Sequence, residues 1–204
     1  SADKSIRSGQ WPNSPKKPIR GSILGIVGLG RIGKSLAVRA QAMKMKIIAA
    51  EAMPDGAFVE EHGIELVNLA ALFERSDYIS LHCPLTDTTR GMINSETLTS
   101  MKTEVSIVNT ARGELIVEAD LIQALKSGRI ASAGIDVFEQ EPADPDNPLF
   151  KLDNVVVTPH VAGHSDTTMP DFWRLSVEAA VDFSHRRWPR SYVNPGVKPR
   201  WNLT

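Results

Sequence analysis

The sequence is poor in cysteine, in net charge and in long apolar runs. Its one cysteine among 204 residues, Cys83, excludes an internal disulfide and fits a reducing compartment, so we expect a cytoplasmic protein. The 23 basic and 24 acidic residues leave a net charge of −1, which provides no basic surface for nucleic acid or for an anionic membrane. No apolar run approaches the roughly 18 residues that span a bilayer. We therefore expect neither nucleic acid nor a membrane as a partner.

Short apolar runs alternate with helical patterns along most of the chain. Continuous apolar strands that alternate with helices are typical of a parallel sheet covered on both faces, so the predicted fold is α/β, a doubly wound parallel sheet. Ser95 is the expected N-cap of one helix, and Gly128 is expected to close another. The predicted strands cover residues 22–27, 46–50, 77–83, 105–110, 132–137 and 154–159, and the predicted helices cover residues 31–43, 66–76, 95–101, 118–128 and 167–188.

A glycine-rich turn joins the first predicted strand to the first of these helices. The segment "GIVGLGRIG" places Gly28, Gly30 and Gly33 in the G-x-G-x-x-G spacing of a Rossmann-like dinucleotide site. The first glycine permits the tight turn, the second lets a pyrophosphate approach the backbone, and the third lets helix and strand pack closely. The helix N-terminus attracts the anion, and Arg31 adds positive charge.

The second predicted strand ends at an acidic residue, Glu51, about 20 residues after the glycine turn. An acid at this position binds the adenosine ribose hydroxyls and repels a 2′-phosphate, and no arginine follows in "EAMPDG". The pattern therefore favours NAD over NADP. A structural glycine turn next to a surface glutamate remains the alternative.

Polar residues follow the later strands, at "HCPLTDTT", "NTARGE", "DVFEQEP" and "TPHVAGH". The carboxyl ends of parallel strands share one edge, where ligands bind, so these residues are expected to converge there. Each one also has a structural alternative: a solvated loop arginine, one acid of an acidic loop, or a hydrogen-bonded core histidine. The candidates are His82, Arg112, Asp136, Glu141 and His160.

Five motifs occur in a recognisable order: "GIVGLGRIG", "LHCPLTDTTRGMI", "VNTARGELIVEADLIQAL", "AGIDVFEQEP" and "NVVVTPHVAG". Together they resemble the D-isomer-specific 2-hydroxyacid dehydrogenases, which include phosphoglycerate, glycerate/glyoxylate, formate and D-lactate dehydrogenases. The resemblance covers nearly all of residues 11–194. It implies an NAD-dependent oxidoreductase that acts on the CH–OH group of a D-2-hydroxy acid, or reduces the 2-oxo acid.

The resemblance also implies catalytic roles for three residues. Arg112 matches the arginine that grips the substrate carboxylate in bidentate fashion and polarises the 2-oxo group. His160 matches the acid/base that takes the proton from the 2-hydroxyl, and Glu141 matches the carboxylate that pairs with it. No metal is implied.

A larger set of residues is implied at the cofactor. Asp136 resembles the residue that orients the nicotinamide carboxamide, and Cys83 becomes a wall of the adenosine pocket. A nucleophilic role for this thiol is not supported, since the sequence offers no activating group beyond His82. The implied cofactor-binding residues are Gly28, Gly30, Arg31, Ile32, Gly33, Glu51, Cys83, Pro84, Thr89, Thr110, Ala111, Asp136, His160 and Gly163.

The chain departs from the family pattern mainly in what precedes the glycine turn. The family carries a substrate domain of roughly a hundred residues there, and the sequence begins instead with a polar, proline-rich stretch. We expect residues 1–21 to be an inter-domain arm, 22–188 the dinucleotide-binding domain, and 189–204 a tail that returns toward the absent substrate domain. The chain alone is then expected to bind NAD(H) but to be inactive.

Family members are dimers built through their cofactor domains, which implies a homodimer with Trp11 as the anchor of the arm. Two alternatives to an enzyme stay open. One is a non-catalytic NAD(H)-binding regulatory module, resembling the carboxy-terminal-binding corepressors. The other is a natural fragment without catalysis. His164, four residues after His160, is expected to contribute local structure, such as a cap of the last helix, with contact to the substrate as the alternative.

Overall fold

A computed structural model describes residues 2–11, 17–190, 192 and 196–203. Residues 12–16 of the predicted arm and most of residues 191–195 in the predicted tail lie outside this part. The chain divides into two compact units, Ser1–His160 and Val161–Thr204. The first unit contains the whole sheet, and the second contains one long helix.

The sheet has seven strands, and every neighbouring pair is parallel. All six predicted strands are present, each within a few residues of its expected bounds. The strand that was not predicted has two residues, too few to show an alternation in the sequence. In chain order the strands are β1 (Ile23–Val27), β2 (Lys46–Ala50), β3 (Glu65–Leu66), β4 (Tyr78–Leu81), β5 (Ser106–Asn109), β6 (Ser132–Ile135) and β7 (Val155–Val157).

The helices follow the predicted order, with two additions and one correction. The additions are α1 and α3. The N-cap of α5 is Asn94 and not Ser95, because the Asn94 side chain accepts from the N–H groups of Glu96 and Thr97 while Thr97 Oγ1 accepts from the Asn94 N–H. The helices are α1 (Ala2–Arg7), α2 (Arg31–Ala42), α3 (Gly56–Glu61), α4 (Leu69–Arg75), α5 (Ser95–Ser100), α6 (Glu118–Lys126) and α7 (Thr168–Ser184), with 3-10 turns at Gly113–Leu115 and Pro148–Lys151.

Helices pack on both faces of the sheet, which confirms the doubly wound prediction. On one face, α2 buries Ala37 and Ala40 against Ile26 and Ile47 of the first two strands. On the other face, α4, α5 and α6 bury a larger cluster that includes Leu72, Leu98, Leu121, Leu125, Ile79 and Ile107. These two apolar layers hold the strands rigidly and fix where their carboxyl ends lie.

The strand order is β3-β2-β1-β4-β5-β6-β7. The chain winds outward from β1 to β3, crosses back to β4 beside β1, and then winds outward in the opposite direction. This reversal creates a topological switch point between β1 and β4, where a crevice for ligands opens at the carboxyl ends of the strands. The glycine turn and the segment that begins with His82 follow these two strands directly.

Among the helices in the described part of the chain, none is long and apolar enough to cross a lipid bilayer.

Candidate functional site

The three glycines of the turn after β1 have different structural roles. Gly28 has φ of 93°, and a Cβ there would lie 2.6 Å from the Cys83 nitrogen, while a Cβ on Gly33 would lie 2.2 Å from the Gly28 oxygen. Both positions therefore exclude a side chain for reasons of packing. A Cβ on Gly30 meets nothing within 4 Å. The second glycine faces open space, which fits a ligand that approaches the backbone closely.

The helix α2 begins directly after this opening. Its N-cap is Gly30, which offers no side-chain cap, so the first N–H groups of a 12-residue helix are left for an anion. Arg31 is exposed in the first turn, and the Ile32 side chain next to it is 69% exposed. This arrangement fits the pyrophosphate of a dinucleotide.

Glu51 lies against the glycine turn. Its Oε2 accepts a hydrogen bond from the Leu29 N–H at 2.6 Å, and its Oε1 accepts one from the Met53 N–H at 3.0 Å. Glu51, which the spacing alone predicted, therefore lies next to the glycine turn at Gly30, where a Cβ would face open space. Sequence reasoning did not anticipate the Leu29 contact, because a backbone donor leaves no signature in residue identity.

Cys83 and the loop after it border the same region. Burial raises the pKa of the Cys83 thiol, and the Glu51 charge raises it further, so the thiol stays protonated near neutral pH. Thr89 Oγ1 donates to the Pro84 carbonyl oxygen at 2.8 Å and accepts from the Thr86 N–H. The Cys83 thiol therefore belongs to a wall of the crevice. Thr89 stabilises the turn of the loop that follows Cys83.

The turn after β5 carries Arg112, and a buried asparagine shapes it. Asn109 is 1% exposed; its Oδ1 accepts from the Ala111 N–H at 3.0 Å, and its Nδ2 donates to the Arg112 carbonyl oxygen at 2.8 Å. The guanidinium donates to the Ala111 carbonyl oxygen. Thr110 and Ala111 are half-buried on this turn. Asn109 was missed at the sequence level, although an asparagine that ends a strand is a recognised turn former.

The same turn packs tightly on the segment after β6. A Cβ on Gly113 would lie 2.0 Å from the carbonyl carbon of Phe138 and 2.5 Å from the Glu139 nitrogen. Backbone therefore meets backbone between the turn that carries Arg112 and the loop that leads to Glu141.

Asp136 follows β6 and is 3% exposed. Its side chain accepts a hydrogen bond from the Thr158 hydroxyl, and its carbonyl oxygen accepts from the His160 N–H at 2.7 Å. The predicted nicotinamide residue is thus hydrogen-bonded directly to the segment that carries the predicted acid/base. Thr158 is another contributor that sequence reasoning did not name.

His160 and Glu141 form a pair, as predicted. The His160 Nδ1 lies 2.7 Å from Glu141 Oε2, and Glu141 Oε1 accepts from the Phe138 N–H at 3.0 Å. His160 adopts φ of 55°, a left-handed conformation that is uncommon for a histidine and is held by its N–H bond to Asp136.

The hydrogen bond from the His160 imidazole lowers the pKa of Glu141, and the Phe138 N–H lowers it further, against a smaller opposing effect of burial. An ionised carboxylate only accepts hydrogen bonds, so the proton of the pair resides on His160 Nδ1. The imidazole consequently directs Nε2 away from Glu141, where it is able to receive or deliver a proton. His160 and Glu141 also border an open, mainly apolar groove of about 710 Å³, lined further by Phe138, Pro142, Ala143, Phe150, Val157, Thr158 and Pro159.

The predicted site residues divide into those that share an edge and those that do not. Arg112, Asp136 and His160 follow the adjacent strands β5, β6 and β7 at the same edge. Within the described residues, Arg112 forms no hydrogen bond or ion pair with His160 or Glu141. Gly163 and His164 belong to the second unit, in a turn where the His164 N–H donates to the Val161 carbonyl oxygen.

The suggestion that His164 caps the last helix is wrong, since α7 begins at Thr168 with Thr167 as its N-cap. No group of three or more His, Cys, Asp or Glu side chains that could hold a metal ion occurs within the described residues.

The chain is similar to curated dehydrogenases over nearly its whole length. It is 42% identical over 202 residues to a glyoxylate reductase of Korarchaeum cryptofilum, with 96% of this chain and 61% of the relative covered. It is 38% identical over 201 residues to a D-3-phosphoglycerate dehydrogenase of Archaeoglobus fulgidus, with 97% and 38% covered. The chain therefore spans between about two fifths and three fifths of the length of these relatives.

Solved structures show the same fold. The D-lactate dehydrogenase of Lactobacillus jensenii with NAD⁺ superposes with a TM-score of 0.87 at 26% identity, over 94% of this chain and 62% of that one. The NAD complex of a D-isomer specific 2-hydroxyacid dehydrogenase of Lactobacillus delbrueckii gives a TM-score of 0.84 at 29% identity, over 95% and 62%.

The family profile that matches residues 1–162 is described as the NAD-binding domain of D-isomer specific 2-hydroxyacid dehydrogenases. With four fifths of the sequence inside this match and the glycine turn, Glu51 and the His160–Glu141 pair at one sheet edge, the chain belongs to the D-isomer specific 2-hydroxyacid dehydrogenase family and carries its NAD-binding domain.

Proposed function

We propose that this chain is the cofactor half of an NAD-dependent dehydrogenase that interconverts a D-2-hydroxy acid and its 2-oxo acid. The observation that carries the proposal is the His160–Glu141 hydrogen bond of 2.7 Å at the edge where the glycine turn also opens. An imidazole whose tautomer is fixed by an ionised carboxylate is suited to take up and return a proton. The corepressor-like alternative keeps the same catalytic-type residues, so turnover is what separates the two functions.

In this proposal His160 Nε2 takes the proton of the 2-hydroxyl during oxidation and returns it during reduction. Glu141 keeps Nδ1 protonated and holds the ring in the orientation that presents Nε2. Arg112 binds the substrate carboxylate through its planar guanidinium, after the donor that now contacts the Ala111 carbonyl oxygen turns outward. NAD⁺, when bound, supplies the acceptor for the hydride that leaves C2.

The cofactor is proposed to lie across the switch point. The glycine turn and the start of α2 hold the pyrophosphate, and Glu51 binds the adenosine ribose and favours NAD over NADP. The remaining assignments follow the resemblance and the sheet edge. Gly28, Gly30, Arg31, Ile32 and Gly33 serve the pyrophosphate side; Cys83, Pro84 and Thr89 border the adenosine; Thr110, Ala111, Asp136, His160 and Gly163 border the nicotinamide.

The whole protein is proposed to be a cytoplasmic homodimer in which residues 22–188 form the cofactor domain. Trp11 is 86% exposed in the single chain, which suits an anchor that packs on a partner. Turnover is proposed to need the part of the relatives that lies outside the matched segment, so the chain alone is proposed to bind NADH and to reduce 2-oxo acids negligibly.

The experiment has two arms. Titration of the chain with NADH, followed by nicotinamide fluorescence, is expected to show saturable binding, with NADPH bound more weakly. A longer protein that contains this chain is then assayed with glyoxylate, hydroxypyruvate and other 2-oxo acids. His160→Asn is expected to remove turnover there while NADH affinity stays nearly unchanged. Tight NADH binding with no turnover of any 2-oxo acid by the longer protein would favour the non-catalytic regulatory module instead.

A further inference from the structure

His82 occupies the switch point beside the glycine turn. Its N–H donates to the Val27 carbonyl oxygen at 2.7 Å, so the ladder between β1 and β4 continues one residue beyond the strands. A Cβ on Gly28 would lie 2.7 Å from the His82 carbonyl carbon. The histidine is therefore packed directly against the first glycine of the turn.

The order of the strands places His82 in the middle of the ligand edge. Strand β4 lies between β1 and β5, with Ser80 paired to Ile26 on one side and to Val108 on the other. Gly28, His82 and Thr110 directly follow these three strands, at their carboxyl ends. His82 thus lies between the glycine proposed at the pyrophosphate and the threonine proposed at the nicotinamide.

The imidazole is oriented by a neighbouring hydroxyl. Ser80, 6% exposed on β4, places its Oγ 2.9 Å from His82 Nε2. Burial lowers the pKa of His82, so the ring is neutral near neutral pH. In the part of the chain that the structure describes, no protein group makes a hydrogen bond to Nδ1.

A dinucleotide supplies a matching group at this place. Between its pyrophosphate and its nicotinamide lies one ribose, whose hydroxyls both donate and accept. A neutral imidazole with one nitrogen held by serine offers the other nitrogen to such a hydroxyl. We propose that His82 binds the nicotinamide ribose of the cofactor through Nδ1, with Ser80 as the residue that positions the ring. This inference rests on the proposed function.

Truncated cofactors and matched variants test it on the chain itself. His82→Phe keeps a ring and loses both nitrogens, His82→Gln keeps a polar atom near the position of Nε2, and His82→Asn keeps one near the position of Nδ1. We expect His82→Phe and His82→Gln to weaken NADH and ADP-ribose about tenfold, the value of one hydrogen bond of about 1.4 kcal/mol. His82→Asn should retain most of the affinity, and AMP, which lacks this ribose, should bind all variants equally. His62→Phe, at the end of α3, is the control for a histidine elsewhere.

A measurement on the unaltered protein covers the case in which a variant fails to fold. The imidazole ¹⁵N resonance of His82 Nδ1, assigned with His82→Gln, is expected to shift on addition of NADH or ADP-ribose and to stay in place with AMP. Wild-type affinity of His82→Phe for NADH, an equal loss of AMP and NADH, or an unmoved Nδ1 resonance each overturns the inference. Failure of the unaltered chain to bind NADH is a separate result: it contradicts the proposed function, and this inference with it.

Discussion

Glu141 accepts a hydrogen bond from His160 Nδ1 at 2.7 Å, although 19 residues separate the two along the chain. Two backbone hydrogen bonds bring the two side chains together. The Phe138 N–H donates to the other carboxylate oxygen of Glu141, and the His160 N–H donates to the Asp136 carbonyl oxygen. The pair is only partly buried, with side-chain exposures of 51% for the histidine and 37% for the glutamate. Orientation, more than electrostatic strength, is therefore what the carboxylate contributes.

The first prediction follows from that orientation. In a longer protein that turns over 2-oxo acids, Glu141→Gln is expected to lower kcat about 10- to 100-fold, because the amide no longer fixes the Nδ1 proton. NADH affinity is expected to change little. Because the pKa of Glu141 is lowered in the folded protein, the effect of the carboxylate is complete above its ordinary pKa of 4.5 and fades only as the pH falls through the lowered value. Steady-state kinetics from pH 4 to 9 measure both effects, and Glu139→Gln, two residues away, is the matched control.

The second prediction separates two glycines of one turn. Gly30→Ala is expected to leave the melting temperature unchanged and to weaken NADH binding at least tenfold, since the added methyl enters the space open to the pyrophosphate. Gly28→Ala is expected to destabilise the fold itself, because φ is 93° and the methyl meets backbone at 2.6 Å. Thermal unfolding and NADH titration of both variants check this. Equal losses of stability would show that the space beside Gly30 is needed by the protein and not by the cofactor.

The third prediction concerns the choice between NAD and NADP. Glu51→Gln keeps an oxygen that accepts from the Leu29 N–H but removes the charge. The ratio of NADPH to NADH affinity is expected to rise about tenfold, equivalent to about 1.4 kcal/mol of removed repulsion. Competitive fluorescence titration measures the ratio. The control is Glu65→Gln, which is expected to leave this affinity ratio unchanged. Glu65 is an exposed acid on the edge strand β3 and forms an ion pair with Arg75.

The fourth prediction concerns the opposite end of the sheet. Asp77, with a side chain 9% exposed, accepts hydrogen bonds from Lys17 at 2.7 Å, Lys102 at 2.8 Å and the Ile23 N–H at 2.8 Å. Burial acts to raise the pKa of Asp77, but these three donors outweigh it and lower the pKa to about 2. The contribution to stability is therefore present above the ordinary pKa of 3.8 and is lost as the pH falls toward 2.

Asp77→Asn is expected to lower the free energy of unfolding by about 2 kcal/mol at pH 7, and the difference from wild type should shrink below pH 4. Urea unfolding at a series of pH values measures this. The exposed pair of Glu65 and Arg75 again supplies the comparison, through Glu65→Gln, which is expected to change stability far less. A difference that persists unchanged at pH 2 would contradict the role of the ionised carboxylate.

The sequence predicted the strands that are buried on both faces, because their apolar runs are continuous and their order is regular. It did not predict β3, α1 or α3. A strand of two residues carries no periodicity, and a six-residue helix depends on the Asp55 cap, whose Oδ1 accepts from the Phe58 N–H.

At the site, the sequence identified side chains that carry chemistry but not the groups that hold them. Arg112 and His160 stand out because a guanidinium and an imidazole are informative residue types. Asn109 and Thr158 act through hydrogen bonds to turns and to Asp136, contacts that depend on strand register and that appear only once neighbouring strands are paired. The cap of α5 is Asn94 and not the predicted Ser95 for a related reason: either residue type suits an N-cap, and only the backbone conformation decides.

Gly113 has a consequence for how the two halves of the chemistry are related. Its α-carbon leaves no room for even a methyl group against Phe138, so the backbone of the turn with Arg112 lies directly against the backbone of the loop toward Glu141. At this contact, the distance between the turn that carries Arg112 and the loop that leads to Glu141 is therefore fixed by packed backbone and not by adjustable side chains. A new substrate range in such a protein is then expected to evolve through changes in the residues around these two segments, while the backbone contact at Gly113 keeps the distance between them constant.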